Sequence, residues 1–141
     1  MSMRENQNEA ARDAFARAVA VVPDDPVFVR NLGDALARLQ RWDDAIRSYR
    51  HLTELQPNDG EYWRRLGVTL MSAGRNDEAV AALQRVVTIG PATGRAYGDL
   101  ANILYRVGRW PEAATNARRG RELGFVDPEV WRALENAGVL D

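Results

Sequence analysis

Cysteine and lysine are both absent from this chain of 141 residues, and histidine occurs once, as His51. Without cysteine there can be no disulfide, no thiolate zinc site and no cysteine nucleophile. With one histidine there can be no histidine pair, so no metal and no cofactor site is expected. No apolar run approaches the roughly 18 residues that cross a bilayer, so direct membrane insertion is not expected either. The opening residues Met1 to Asn8 are polar and lack the apolar core of a signal peptide, which favours the cytoplasm. Charge of one sign is also missing: 19 basic residues face 20 acidic ones, for a net charge of -1. A dedicated nucleic-acid binder would carry a basic excess. What is present is an ordinary globular balance, 45% apolar and 28% charged, in a length that suits one domain over residues 1–141. All basic residues are arginine. Biased codon use accounts for that, and so would a need for planar, bidentate contacts.

A repeat organises everything else. Val29-Arg30-Asn31-Leu32-Gly33 recurs 34 residues later as Trp63-Arg64-Arg65-Leu66-Gly67. The same step leads to Tyr97-Gly98-Asp99-Leu100-Ala101 and then to Trp131-Arg132-Ala133-Leu134. A second block, Asp44-Ala45-Ile46, returns as Glu78-Ala79-Val80 and Glu112-Ala113-Ala114. Within a unit, Val29, Leu32, Leu36 and Leu39 recur at three and four residues, the spacing of one helix face, and Ala45, Ile46, Tyr49 and Leu52 form the next. Asp25-Pro26 and Asp127-Pro128 place a cap before a proline at the first helical position. Gly74 and Gly108 fall between the paired helices, and Pro57 and Pro91 fall after the second. Small residues at Gly33, Gly67, Ala45, Ala79 and Ala113 predict close helix pairing.

This pattern resembles the tetratricopeptide repeat family, whose period is 34 residues. The first unit matches through Val29, Leu32, Gly33, Ala45, Tyr49 and Pro57. The second matches through Trp63, Leu66, Gly67, Ala79 and Pro91, with Leu83 in place of an aromatic. The third matches through Tyr97, Leu100 and Ala113 but departs at Ala101, Ala117, Gly120 and Phe125, so its second helix is expected to turn differently. The resemblance implies an all-α, right-handed solenoid of about seven or eight helices. Its expected parts are an unpaired second-type helix over 1–25, repeats over 26–59, 60–93 and 94–127, and a terminal first-type helix over 128–141.

A half-unit at each end is expected to leave apolar surface uncovered. These ends are caps or cuts from a longer array, or they join head to tail between copies through Phe15 and Trp131. The second possibility makes the chain a self-assembling building block.

Sites of chemistry are scarce. His51 is expected to be a solvated helix residue, because a catalytic base needs a positioned partner. The acidic pairs Asp24-Asp25, Asp43-Asp44 and Asp77-Glu78 suit the positive ends of helices. Arg118, Arg119 and Arg121 are expected on a solvated face. The chain is therefore not expected to be an enzyme.

The resemblance also implies that the first helices line a concave groove. Groove positions would then include Arg30, Asn31, Asp34 and Arg38, then Glu61, Arg64, Arg65, Val68, Met71 and Ser72. Further along come Arg95, Asp99, Asn102, Tyr105 and Arg106, and finally Glu129, Arg132 and Asn136. Arginines outnumber acids there, which suits a peptide carrying carboxylates. Arg30–Asp34 and Arg95–Asp99 have the spacing of helical ion pairs, whereas Arg64, Arg65 and Arg132 have no evident partner. Acids at positions 34 and 99 are incompatible with the family's clamp for chaperone C-termini. Asn31 alone remains of its asparagine ladder. The expected function is a non-catalytic adaptor, scaffold or peptide-binding chaperone, with a protein or peptide partner and no nucleic acid.

Overall fold

The computed structural model describes residues 1–140. They form eight α-helices and no strand: α1 (Met3–Val21), α2 (Pro26–Arg38), α3 (Trp42–Leu55), α4 (Gly60–Ser72), α5 (Asn76–Ile89), α6 (Gly94–Arg106), α7 (Trp110–Glu122) and α8 (Pro128–Asn136). The first helices α2, α4, α6 and α8 begin at 34-residue steps, and so do the second helices α3, α5 and α7. The fold is an all-α helical solenoid.

Local chemistry sets the helix ends. The Asp25 carboxylate accepts from Val27 N and Phe28 N at 2.9 and 3.3 Å, and Asp127 repeats this at Glu129 and Val130. These bonds satisfy amides that a helix leaves without partners. Helices α2, α4 and α6 all close with an amide that bonds the carbonyl five residues back, Arg41 to Leu36, Arg75 to Leu70 and Arg109 to Leu104, each at 2.9 Å. That closure needs a left-handed residue. Gly74 and Gly108 supply it at φ 75° and 80°, while in the first unit Gln40 is forced to φ 57°.

One row of buried residues runs through all the helix pairs, from Val29 and Ile46 through Leu70 and Leu83 to Leu100, Ile103 and Leu134. Pairing depends on a missing side chain. A Cβ on Gly33 would lie 2.7 Å from the Tyr49 ring, and one on Gly67 would lie 2.7 Å from Leu83 Cγ. The third pair solves the same problem differently. Ala101 faces the small Ala117, and the Phe125 ring fills the space over Gly98. Phe125 reaches it because α7 stops at Glu122 and Phe125 N bonds Gly120 O at 2.9 Å.

The two ends differ. Helix α1 contains no fully buried residue, Ala11, Phe15 and Ala18 on it are half-buried, and Val21 and Val22 are exposed. At the other end Val130 and Leu134 of α8 are buried, and the residues after the helix cover part of it. Helix α8 has nine residues where α2, α4 and α6 have thirteen. Its early stop lets Val139 N bond Leu134 O at 3.2 Å and buries Leu140 to 7% exposure. Arg118 Nη2 holds the Val139 carbonyl at 3.0 Å.

Two substitutions test this account. Gln40→Gly removes the left-handed cost of a side chain and should stabilise the fold by about 1 kcal/mol. Gly33→Ala should destabilise it by about 1–3 kcal/mol, because the added methyl overpacks against Tyr49. Urea unfolding of both variants measures each change.

Candidate functional site

The face built by the first helices holds a cavity of about 380 Å³ between α2 and α4. Its walls are Ala37, Arg38, Trp42, Tyr49, Arg64, Arg65, Val68, Thr69 and Ser72. Helical spacing puts Arg64, Arg65, Val68, Thr69 and Ser72 along the side of α4 that faces α2. The Trp42 and Tyr49 rings belong to α3 and reach the cavity from below. Sequence reasoning missed Trp42 as a wall. Its position in the repeat, shared with Trp110, was a usable signal: Trp110 stacks on Tyr105 at 6.3 Å at the equivalent place.

Asp34 is the hub of this region. Its Oδ1 accepts from the Tyr49 hydroxyl at 2.6 Å and from Arg65 Nη1 at 2.6 Å. Burial pushes the Tyr49 hydroxyl pKa upward, and the hydrogen bond and charge of Asp34 add to it, so Tyr49 remains a neutral donor. For Arg65, burial is the largest single influence and works against its charge. The carboxylate of Asp34, then Tyr49 and Glu61, outweigh it and leave the net shift upward. Glu61 Oε1 stands 3.4 Å from Arg65 Nε. One step along, Arg64 Nε donates to Asp99 Oδ2 at 2.9 Å, and Arg95 Nε lies 3.5 Å from Asp99 Oδ1.

These pairs correct the sequence reading in two ways. Asp34 does not bond Arg30 but reaches Arg65 in the next unit. Arg64 and Arg65 have partners, and both act as ties between successive first helices. The arginines of this face with no ion pair among the described residues are Arg30, Arg38, Arg106 and Arg132, against one unpaired acid, Glu129. Arg38 and Arg106 occupy the same place in their units, with Ser72 between.

Other expected site residues are dispersed. Arg64, Arg65 and Val68 line the cavity. Asn31, Asn102 and Tyr105 are half-buried on α2 and α6, and Met71 packs on the core. Arg106, Arg132 and Asn136 are exposed towards the other end of the array. Phe15 lies on α1 and Trp131 on α8, at opposite ends. Trp131 is already engaged, since its Nε1 bonds Glu135 at 2.9 Å and Arg121 stacks on its ring at 4.4 Å. His51 is not merely solvated: its Nε2 lies 3.0 Å from Asp24 and 3.2 Å from the Pro23 carbonyl. Of the arginine cluster on α7, Arg119 pairs with Glu122 at 2.7 Å, while Arg118 and Arg121 fasten α8. Among the described residues no acidic or histidine cluster could hold a metal ion, and no helix is long and apolar enough to cross a membrane.

Stacked helix pairs with a continuous face of first helices define a class of solenoid that presents a preformed surface to other proteins. The chain belongs to the tetratricopeptide repeat family: one form of that repeat matches residues 3–50 and 30–92, and a second matches 70–137. It is a protein-interaction or scaffold module. A comparison with curated proteins finds no match. Among solved structures it is similar to MamA of MSR-1, at 25% identity and TM-score 0.75 over 83% of this chain and 67% of that one. It is also similar to MamA of AMB-1, at 27% identity and TM-score 0.74 over 79% of this chain and 61% of that one. A further MamA crystal structure has the same fold at TM-score 0.84 and 18% identity, covering 99% of this chain and 86% of that one.

The ties make two predictions. A double-mutant cycle with Asp34→Ala and Arg65→Met should give a coupling of about 1 kcal/mol, modest because both groups are partly solvated. Tyr49→Phe should cost about 1 kcal/mol at neutral pH. A raised hydroxyl pKa stabilises the fold fully below the unfolded value near 10 and loses that contribution as pH climbs above it. Stability measured above pH 10 should therefore fall more steeply in the wild type than in Tyr49→Phe.

Proposed function

We propose that this chain is a non-catalytic adaptor whose concave face binds a short acidic peptide between α2 and α4. One observation carries the reading. The cavity there has an apolar floor of Ala37, Val68 and the Tyr49 ring, and Arg38 stands at its edge without an ion partner. An apolar floor with few placed polar groups is the usual make-up of a ligand site. Arg38 is free to form a two-pronged bond with a carboxylate, and Arg30 and Arg106 extend the positive charge along the face. Arg64 and Arg65 hold this geometry in advance of binding, which lowers the ordering cost when a peptide docks. They contribute by shaping the walls.

The competing reading is head-to-tail joining of the two half-units. Against it stands Glu135, which occupies the position of Gly33 and Gly67 in its own unit. A second helix docking on α8 would place Phe15 of the next copy there, where even a Cβ comes within 2.7 Å of the equivalent Tyr49. The folded-back Val139 and Leu140 also occupy that end.

Selection from a displayed library of random peptides tests the proposal. The wild type should enrich sequences that combine an aliphatic or aromatic residue with Asp or Glu. Arg38→Glu should bind them at least about tenfold more weakly, a loss of about 1.4 kcal/mol, with unchanged thermal unfolding. Enriched peptides without acidic residues, or equal binding by Arg38→Glu, would refute it.

A further inference from the structure

We propose that the acidic peptide is held at two points. A second anchoring site, built by Tyr105, Arg106, Trp110 and Arg132 where α6 meets α8, takes a second carboxylate about five or six residues further along the same extended chain. The inference rests on the reading of the α2–α4 cavity and adds the site that sets the spacing of its ligand's acids.

The chemistry of the first anchor returns two repeats on. Arg38 and Trp42 line the α2–α4 cavity. Arg106 and Trp110 hold the same places in the third unit, while the second unit has Ser72 and Asn76 there. Along the face, an arginine beside an indole is followed by an uncharged stretch and then by another arginine beside an indole. Arg106 is exposed and has no ion pair among the described residues. Trp110 is a large apolar side chain left open, at 43% exposure, yet it is fixed. Its ring stacks on Tyr105 with 6.3 Å between centroids, and its Nε1 donates to the Tyr105 carbonyl at 3.2 Å. A ring held in this way offers apolar area at little entropic cost on binding. Opposite, Arg132 on α8 holds the place of Arg64 on α4. Arg64 lines the first cavity but is tied to Asp99. Arg132 is exposed with no ion pair among the described residues, so the second anchor offers two guanidinium groups to a carboxylate.

Direct bonds fix the separation of the anchors. Arg65 reaches Asp34 at 2.6 Å and Arg64 reaches Asp99 at 2.9 Å, so α2, α4 and α6 are successive packed neighbours. Two steps of about 8–10 Å put equivalent side chains roughly 16–20 Å apart. An extended chain covers that distance with about five or six residues, at about 3.3–3.6 Å each. A helix would need about eleven to thirteen, at about 1.5 Å each. The extended form suits the ground between the anchors, where Ser72 is short and uncharged and lets a backbone lie close to the face. Asp34 and Asp99 are already neutralised by the two ties, so they do not repel a carboxylate at either anchor.

The four tryptophans give four indole NMR signals from the full chain, and two of them report on the anchors. The probe is a Gly-Ser peptide carrying one Glu-Leu pair. It should shift the signals of Trp42 and Trp110 and leave those of Trp63 and Trp131 in place. Arg106→Glu should abolish the peptide-induced shift at Trp110 alone, and Arg38→Glu that at Trp42 alone. Two longer peptides of identical composition then carry two such pairs, with the glutamates six or three residues apart. The wild type should bind the wider one at least about tenfold more tightly, because three residues reach only about 11 Å. Arg106→Glu, with unchanged thermal unfolding, should bind both equally. A shift at Trp42 without one at Trp110 overturns the second anchor and leaves the α2–α4 reading standing. No shift at either overturns both. Shifts at both with equal affinity of the wild type for the two spacings overturn the bridging of the anchors by one chain.

Discussion

Each helix pair in this protein can close only where one helix has no side chain opposite the other's largest one. Tyr49 occupies the space left at Gly33, Leu83 that left at Gly67, and Phe125 that left at Gly98. Close approach at these points brings the flanking apolar residues into one continuous core and sets the distance between helices. The third pair shows that volume is what matters. Its residues have shifted along the chain, from the second helix to the loop after it, and the space is still filled.

With the pairs closed, the angle between them is held by polar contacts on the first helices. Asp34 ties the first unit to Arg65 of the second, and Asp99 ties the third to Arg64 of the second. The second unit therefore offers both cations and its neighbours both anions. The consequence for the exposed surface is simple: the acids of this face are spent internally, except Glu129, and the positive charge that remains lies on Arg38, Arg30, Arg106 and Arg132. Planar contact also gives a physical use to the arginine-only composition. Arg85, Arg95, Arg119 and Arg121 each stack on an aromatic ring at 4.4 to 6.0 Å, a contact for which a guanidinium is well suited.

The array is asymmetric at its ends, and the asymmetry is built from few residues. Glu135 stands where glycine would admit another helix, and an early stop in α8 turns Leu140 onto the core. Nothing comparable closes α1.

Much of this was legible in the residues. The 34-residue step, the Asp-Pro starts, and the glycines between helices determined the helices and their order, because each acts through its nearest neighbours in the chain. That the third unit is unusual was legible too, in its departures at Ala101, Ala117, Gly120 and Phe125, but that the Phe125 ring fills the space over Gly98 was not. Ion partners were not legible. Arg30 and Asp34 are well spaced for each other on one helix, yet Asp34 reaches 31 residues away to Arg65. Local spacing carries no information on how two successive units tilt, and that tilt decides which charges meet. The same holds for Trp42 as a cavity wall and for the fold-back of Leu140 onto the core. Periodicity determined the fold by itself, while tertiary packing alone decided which arginines bind each other's helices and which are left to face a partner.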